Sequence, residues 1–438
     1  MKSPEASAGL SDGAGIAAVA AATANAYSDT DALDRYLVDG LRPAIAVCPS
    51  TAEELAAVLR AAATADLAVV LQGGRTAIGL GAPPTRYDVA LDTSALGAVI
   101  DHVPDDFTIT VQSGMRFAAL QTFLADHGQF VPLDVPFPDQ ATVGGSVAAA
   151  RSGPRRGVFG GPRDWLIGCG VVLSHGATVH GGGRVVKNVS GYDLCKLFSG
   201  SLGTLGCIVE ATFKLRPLPA ADATLIIPAA DLDAAIDLGR QIALGVNGLQ
   251  SIIALDPVSA HDLGLDEAGV VLRAAGVEGA VSSTLQLAGA VAQAGSAIQP
   301  EPTAPDFWQR LTDREGTSPR GNAVLVRCAA PPDSLRSATA ALRAATDQTC
   351  LWAYADAGLL FGQLAAPTSA LLPAMVATAR KGIEALGGSL VVEHAPVTEK
   401  CAMDVWGPAG DGITIMRRIK REFDPNATLS PGRFVGGI

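Results

Sequence analysis

Three glycine-rich stretches hold most of the residues whose types and spacing could do chemistry. Gln72-Gly73-Gly74-Arg75-Thr76-Ala77-Ile78-Gly79 follows the apolar run Leu67 to Leu71. Pro138-Asp139-Gln140-Ala141-Thr142-Val143-Gly144-Gly145-Ser146-Val147-Ala148-Ala149 is the second. The third, Gly181 to Leu218, sets Gly191, Gly200, Gly203 and Gly206 around a short helical pattern and then enters a strand. Successive backbone N–H groups in a loop after a strand make a concavity for an anion. Glycine also lets backbone approach a flat, phosphate-bearing ligand with no side chain in the way. The first loop lacks both a Gly-Lys-Ser/Thr ending and a Gly-x-Gly-x-x-Gly pattern, so alone it reads as a tight turn. The second loop, with small residues where rings and phosphates could press on backbone, shifts that balance.

Ser152-Gly153-Pro154-Arg155-Arg156-Gly157 adds cations. Arg155 and Arg156 have two readings. Either they grip a phosphate or a substrate carboxylate in bidentate fashion, or they are surface charges and salt bridges to another domain. Glu393-His394 is the best polar pair late in the chain, with a satisfied structural histidine as the simpler account. His175, His180, His261 and His394 are the histidines of the last two thirds, and no two have ligand spacing. No metal site is expected.

The 438 residues suffice for two domains with real cores. The formal charge of −11 argues against nucleic acid or an anionic membrane as the main partner. No apolar run is long enough to span a bilayer. The cysteines, Cys48, Cys169, Cys195, Cys207, Cys328, Cys350 and Cys401, are odd in number, scattered and without Cys-x-x-Cys. Reduced thiols in a cytosolic protein are expected, rather than a disulfide framework, a zinc site or an iron–sulfur cluster. Residues 13–26 are Ala-rich, and Ala24-Asn25-Ala26 resembles a cleavage site only superficially. The basic start and strongly apolar centre of a secretory signal are missing, so a mobile leader running into a helix is expected.

Between the glycine loops, strands and helices alternate. Ala44–Val47 reads as a strand, and Pro49-Ser50-Thr51 before Glu53 and Glu54 as a capped helix start. Met115–His127 reads as a helix, and residues 132–163, dense in Pro, Gly and Arg, as functional loops. After Pro217-Leu218-Pro219 a second α+β pattern begins. It includes Leu232–Ala243, Leu335–Ala345 and Ala370–Leu386 as helices. Phe307 and Trp308 read as core packing.

Val186-Lys187-Asn188-Val189-Ser190-Gly191-Tyr192-Asp193-Leu194 with Gly200-Ser201-Leu202-Gly203-Thr204-Leu205-Gly206 resembles the FAD-binding domain of the vanillyl-alcohol oxidase type. The wording is most similar to the FAD-binding small subunit of bacterial glycolate oxidase. The resemblance covers residues 40–220 strongly, 221–400 weakly and 401–438 moderately. It implies an α+β protein: a two-subdomain FAD-binding domain plus an α+β cap domain. The expected divisions are a leader and helix (1–40), the FAD-binding domain (41–219), the cap or substrate-type domain (220–412), and a C-terminal helix and closing segment returning to the FAD domain (413–438).

Carried over position by position, Gly73, Gly74, Arg75, Thr76 and Ala77 would hold the pyrophosphate. Asp139, Thr142, Gly144 and Gly145 would lie along the cofactor, with Arg155 near it. Gly203, Gly206 and Ile208 would meet it at the far end. Arg75 stands where the family usually has a third glycine, and Ser430 where the closing Asn-Pro-Gly-Lys/Arg motif has asparagine. FAD is expected to bind non-covalently, since the first loop has no histidine. The catalytic relatives' His-x-Gly-Asp-Gly-Asn-x-His motif is absent. The resemblance therefore implies a flavin subunit of a multi-subunit glycolate or D-lactate dehydrogenase. A catalytic FAD large subunit and an iron–sulfur subunit would be its partners, in the cytoplasm or held at a membrane by them. The other readings are a free-standing FAD enzyme for another alcohol or hydroxy acid, with Arg155, Tyr192 or His394 in its pocket, and a non-catalytic scaffold.

Overall fold

The structure is a computed structural model, and it describes residues 13–183, 191–292 and 306–438. Residues 1–12 of the expected leader and helix (1–40), and Val186-Lys187-Asn188-Val189-Ser190 of the quoted segment, lie outside the described residues; within the Ala-rich stretch 13–26, Gly13–Ala21 is already helical. The first sheet has the order Ala26–Tyr27, Ile45–Val47, Val89–Asp92, Val69–Gln72, and its last three strands are parallel. Parallel neighbours need crossovers. The helix Ala52–Thr64 makes one of them, and its start is fixed as the sequence suggests. Thr51 accepts from the Glu54 N–H at 3.1 Å, and the Glu54 carboxylate accepts from the Ser50 N–H at 2.9 Å. Leu55, Val58 and Leu59 of that helix are fully buried against Val47, Val69 and Val89.

An antiparallel five-stranded sheet follows, in the order Val99–Val103, Thr108–Gln112, Cys207–Lys214, Leu166–Val172, Thr178–Gly182. Between its strands run the helices Phe117–Ala125 and Val143–Ala149. The second helix corrects the expectation of loops throughout 132–163. Two glycines weaken its intrinsic propensity, but Thr142 caps it at Gly145 N–H and Val143 and Val147 are buried in the sheet's core. Tertiary burial overrides the local signal. Cys169 and Cys195 meet here with their sulfurs 3.7 Å apart, a neighbourhood that sequence spacing does not show.

The third sheet is antiparallel, with seven strands: Ala221–Pro228, Gly269–Gly276, Leu249–Leu255, Thr349–Tyr354, Leu359–Ala365, Ala323–Ala329, Ser389–His394. Its strands alternate residues between a face covered by Leu232–Gly245, Glu278–Val291, Leu335–Ala345 and Leu372–Glu384 and a face packed on Phe307–Arg314. Phe307 is buried, as expected, and Trp308 donates to Thr224 Oγ1 at 2.9 Å. The same helix reaches the glycine-loop region, because Asp313 Oδ1 accepts from Phe137 N–H at 2.6 Å.

The last residues close the molecule. After the helix Ile413–Phe423, Leu429 bridges Val69 in parallel, which extends the first sheet by one short partner. Ser430 sits there with φ +44°. Asparagine tolerates this left-handed conformation better than serine. Ser430→Asn is expected to raise stability by about 0.5–1 kcal/mol, read as an upward shift in thermal midpoint.

Candidate functional site

The first and second glycine loops pack on one another, and the glycines are needed for that contact. A Cβ on Gly73 would lie 2.3 Å from Thr142 Oγ1, and one on Gly74 would lie 1.9 Å from the Gln140 carbonyl oxygen. A Cβ on Gly144 would meet Ser113 Cβ at 2.6 Å. On the side where a Cβ would stand, these glycines admit the neighbouring loop. Gly73, Gly74, Arg75, Thr76 and Ala77 line one cavity together with Thr142, Gly145 and Leu202. Among the described residues, none of the backbone N–H groups of Gly73 to Ala77 has a protein acceptor. Arg75, at φ +60°, gives the turn the left-handed residue that such N–H nests use. The glycine usual in the family fits that angle without strain.

Arg75 is exposed, but its side chain is tethered. Its guanidinium lies 3.3 Å from Asp92 Oδ2 and 5.1 Å from the Tyr36 ring centroid. Asp139 is exposed and Gly203, Gly206 and Ile208 are buried, and none of the four lines this cavity. Gly203 and Gly206 pack on Leu71 and Val171, at 2.9 Å and 2.5 Å from a hypothetical Cβ. They position Leu202, which does line it.

Late residues hold the rim. The buried Arg433 guanidinium donates to the carbonyls of Ile78 at 2.5 Å and Leu80 at 2.7 Å. Lys400 Nζ donates to the Gly79 carbonyl at 2.7 Å and to both Asp39 oxygens at 2.7 and 2.8 Å. Lys420 Nζ does the same for the third loop, at 2.7 Å from the Thr204 carbonyl and 2.6 Å from Asp424.

A second cavity adjoins the first, sharing Ala149 and Leu202 with it. Its charged lining is Arg151, Arg156, Arg327, Glu315 and Glu393. Glu393 is aimed there by a bulge. Leu325 pairs with His394 and Val326 with Val392, so Glu393 is the extra residue. It lies 2.7 Å from Arg327 Nε and 3.0 Å from Arg151 Nη1. Burial pushes its carboxyl up, but the two guanidiniums outweigh burial and hold it below the ordinary carboxylate range. Glu315 is buried and accepts from the Tyr354 hydroxyl. Burial pushes it up to about 8, with Tyr354 and Arg151 opposing.

Arg155, Tyr192 and His394 are not in this lining. Arg155 is locked to Asp134 at 2.6 Å, between the rings of Phe130 and Phe159. Tyr192 is 94% exposed. His394 is buried beside Ser318, and burial lowers it to about 4. Sequence reasoning missed Arg151, Arg327 and Glu315. Arg327 carried a signal, as the one charge inside the otherwise apolar Ala323–Ala329.

Glu315 sets a pH dependence. Its folded pKa lies above the unfolded value near 4.3, so the folded state holds the extra proton and stability falls as pH rises toward 8. Asp356, raised by burial to about 7, acts in the same direction and is finished near pH 7. His394 acts oppositely, but only between about 4 and its ordinary 6.5. From pH 6.5 to 8 the wild-type chain should therefore lose about 2 kcal/mol from Glu315. Glu315→Gln should remove most of that slope in urea unfolding.

The donor nest and the paired glycine loops fit a pyrophosphate-bearing flavin, and the comparisons agree. A family model described as FAD binding domain matches residues 43–182, and one described as FAD linked oxidases, C-terminal domain, matches residues 287–434. Solved structures share the fold. They include p-cresol methylhydroxylase with substrate bound (TM-score 0.73, 16% identity, 96% of each chain). Another is 4-ethylphenol oxidase from Gulosibacter chungangensis (TM-score 0.72, 14% identity, 99% of this chain and 98% of that one). The class is thus an FAD-dependent oxidoreductase with the vanillyl-alcohol oxidase-type fold. Within it, the chain belongs to the FAD-linked oxidases. Among relatives, D-2-hydroxyglutarate dehydrogenase of Xanthomonas citri pv. viticola is 29% identical over 89% of both chains. The glycolate oxidase subunit GlcE of Escherichia coli is 31% identical over 56% of this chain and 64% of its own length. D-lactate dehydrogenase of Anaerostipes hadrus is 34% identical over 44% of this chain, which spans 40% of that protein.

Proposed function

We propose that the chain is the FAD-binding subunit of a multi-subunit dehydrogenase for 2-hydroxy acids of the glycolate and D-lactate type. FAD, when bound, supplies the two-electron acceptor. The chain's own residues bind and orient it: the Gly73–Ala77 N–H groups receive its phosphates, and Arg433 and Lys400 fix that loop. Arg151, Arg156 and Arg327 set a positive field at the adjoining cavity. The observation that carries the reading is this pair of joined cavities, one with a donor nest and one with guanidiniums. Among the described residues no group of three or more His, Cys, Asp or Glu side chains could hold a metal ion. A partner subunit would supply the metal-assisted substrate site, and an iron–sulfur subunit would carry electrons onward. The similarity to GlcE supports this assembly.

The arginine-lined cavity favours a second reading, in which the chain has a hydroxy-acid site of its own. Anaerobic addition of glycolate and D-lactate, with the flavin spectrum recorded, separates the two. Bleaching only in the presence of partner subunits supports the relay role. Bleaching in the chain alone supports its own site. A purified chain without flavin would overturn both.

A further inference from the structure

We propose that the cavity lined by Arg151, Arg156, Arg327, Glu315 and Glu393 binds a short dicarboxylate. Its position beside the flavin rests on the reading that FAD fills the adjoining cavity; the charge argument does not. Three guanidiniums line the space. Against them stands one ionised carboxylate, Glu393, shared by Arg151 and Arg327. Glu315, with Tyr354 donating to it, holds its proton at neutral pH and adds no negative charge. The nearby Asp134 is neutralised by Arg155, outside the cavity. The lining therefore carries about two positive charges in excess, counted from ordinary ionisation states.

Two of the guanidiniums have unused donors. Arg151 is 8% exposed, and its Nη2 is buried with no hydrogen-bond partner. A buried cationic donor left unpaired is costly, and a turn of the guanidinium toward the cavity would let a ligand oxygen satisfy it. Arg156 sits at the exposed end, held by a 3.1 Å bond to Ser152 Oγ and, among the described residues, by no ion pair. One carboxylate of the ligand would go to the buried Arg151 and Arg327, and the second to Arg156. A monocarboxylate satisfies only one of these positions. Arg156 is thus the residue that distinguishes two acidic groups from one, and its exposure means that replacing it leaves the core intact.

The probe is malonate, titrated calorimetrically into the FAD-loaded chain, with acetate as the one-carboxylate control. Malonate is expected to bind one site per chain at least about tenfold more tightly than acetate. Arg156→Gln is expected to weaken malonate by about ten- to a hundredfold, the worth of hydrogen bonds to a charged group, while acetate changes little. Equal affinity for the two anions, or malonate binding unaltered in Arg156→Gln, would overturn the proposal. Flavin content, measured on the same samples, keeps this separate from the functional reading. Malonate selectivity in a chain without flavin would sustain the dicarboxylate site while removing the proposed function.

Discussion

Lys400→Met is expected to lower the unfolding free energy by about 3–5 kcal/mol, the loss seen when one partner of a buried ion pair is removed. Lys400 and Asp39 have side chains only 3% and 7% exposed. Burial lowers the Lys400 pKa, and the contact with Asp39 opposes that shift. Methionine fills most of the volume but leaves the Asp39 carboxylate buried without its cation. The Gly79 carbonyl also loses its donor. Removing both charges, as in Lys400→Met with Asp39→Asn, should restore much of the stability, because the isolated buried charge is the larger penalty. Chemical denaturation of the single and double variants measures this. If Lys400→Met unfolds at the wild-type midpoint, the cross-link does not hold the loop. The single variant should also lose flavin more readily on dialysis, since Gly79 continues directly from the Gly73–Ala77 turn.

Gly74→Ala should produce a chain that purifies without flavin. The added Cβ would lie 1.9 Å from the Gln140 carbonyl oxygen, with the Gln140 carbonyl carbon at 2.7 Å and Ala141 Cα at 2.8 Å. These atoms are backbone and cannot swing aside as the end of a long side chain could. The two loops must separate, and the Gly73–Ala77 donor nest loses its shape. Overpacking of this kind costs about 1–3 kcal/mol in stability, so the fold should survive. The flavin-to-protein absorbance ratio is the readout, with circular dichroism to verify folding. Gly97→Ala is the control, because a Cβ there meets nothing within 4 Å and the residue lies outside the cavity lining. A flavin ratio in Gly74→Ala equal to that of the wild type would show that the loop contact does not govern binding.

The capped helix at Ala52–Thr64, the apolar strands and the helices of the third sheet were legible because each depends on residues close in sequence. Local hydrogen bonds and hydrophobic periodicity are encoded over a few positions. The helix Val143–Ala149 was not legible, since its glycines argue against helix locally and burial decides for it. The same division holds at the site. Loop glycines announced a close backbone approach, but not that Thr142, Gln140 and Ser113 are the groups an added Cβ would meet. Arg155 left two readings open, a ligand cation or a salt-bridge residue, and its place against Asp134 is a contact that no local pattern specifies.

The sequence by itself determined the strand and helix pattern, the three glycine loops and the FAD-binding class, all carried by short stretches of neighbouring residues. Only the tertiary structure decided which charges face the cavity. Arg151, Glu315, Arg327 and Glu393 are separated by up to hundreds of positions, and a single bulge in the edge strand turns Glu393 inward. Charge placement in a cavity depends on register and on contacts between distant segments, and no local pattern specifies either.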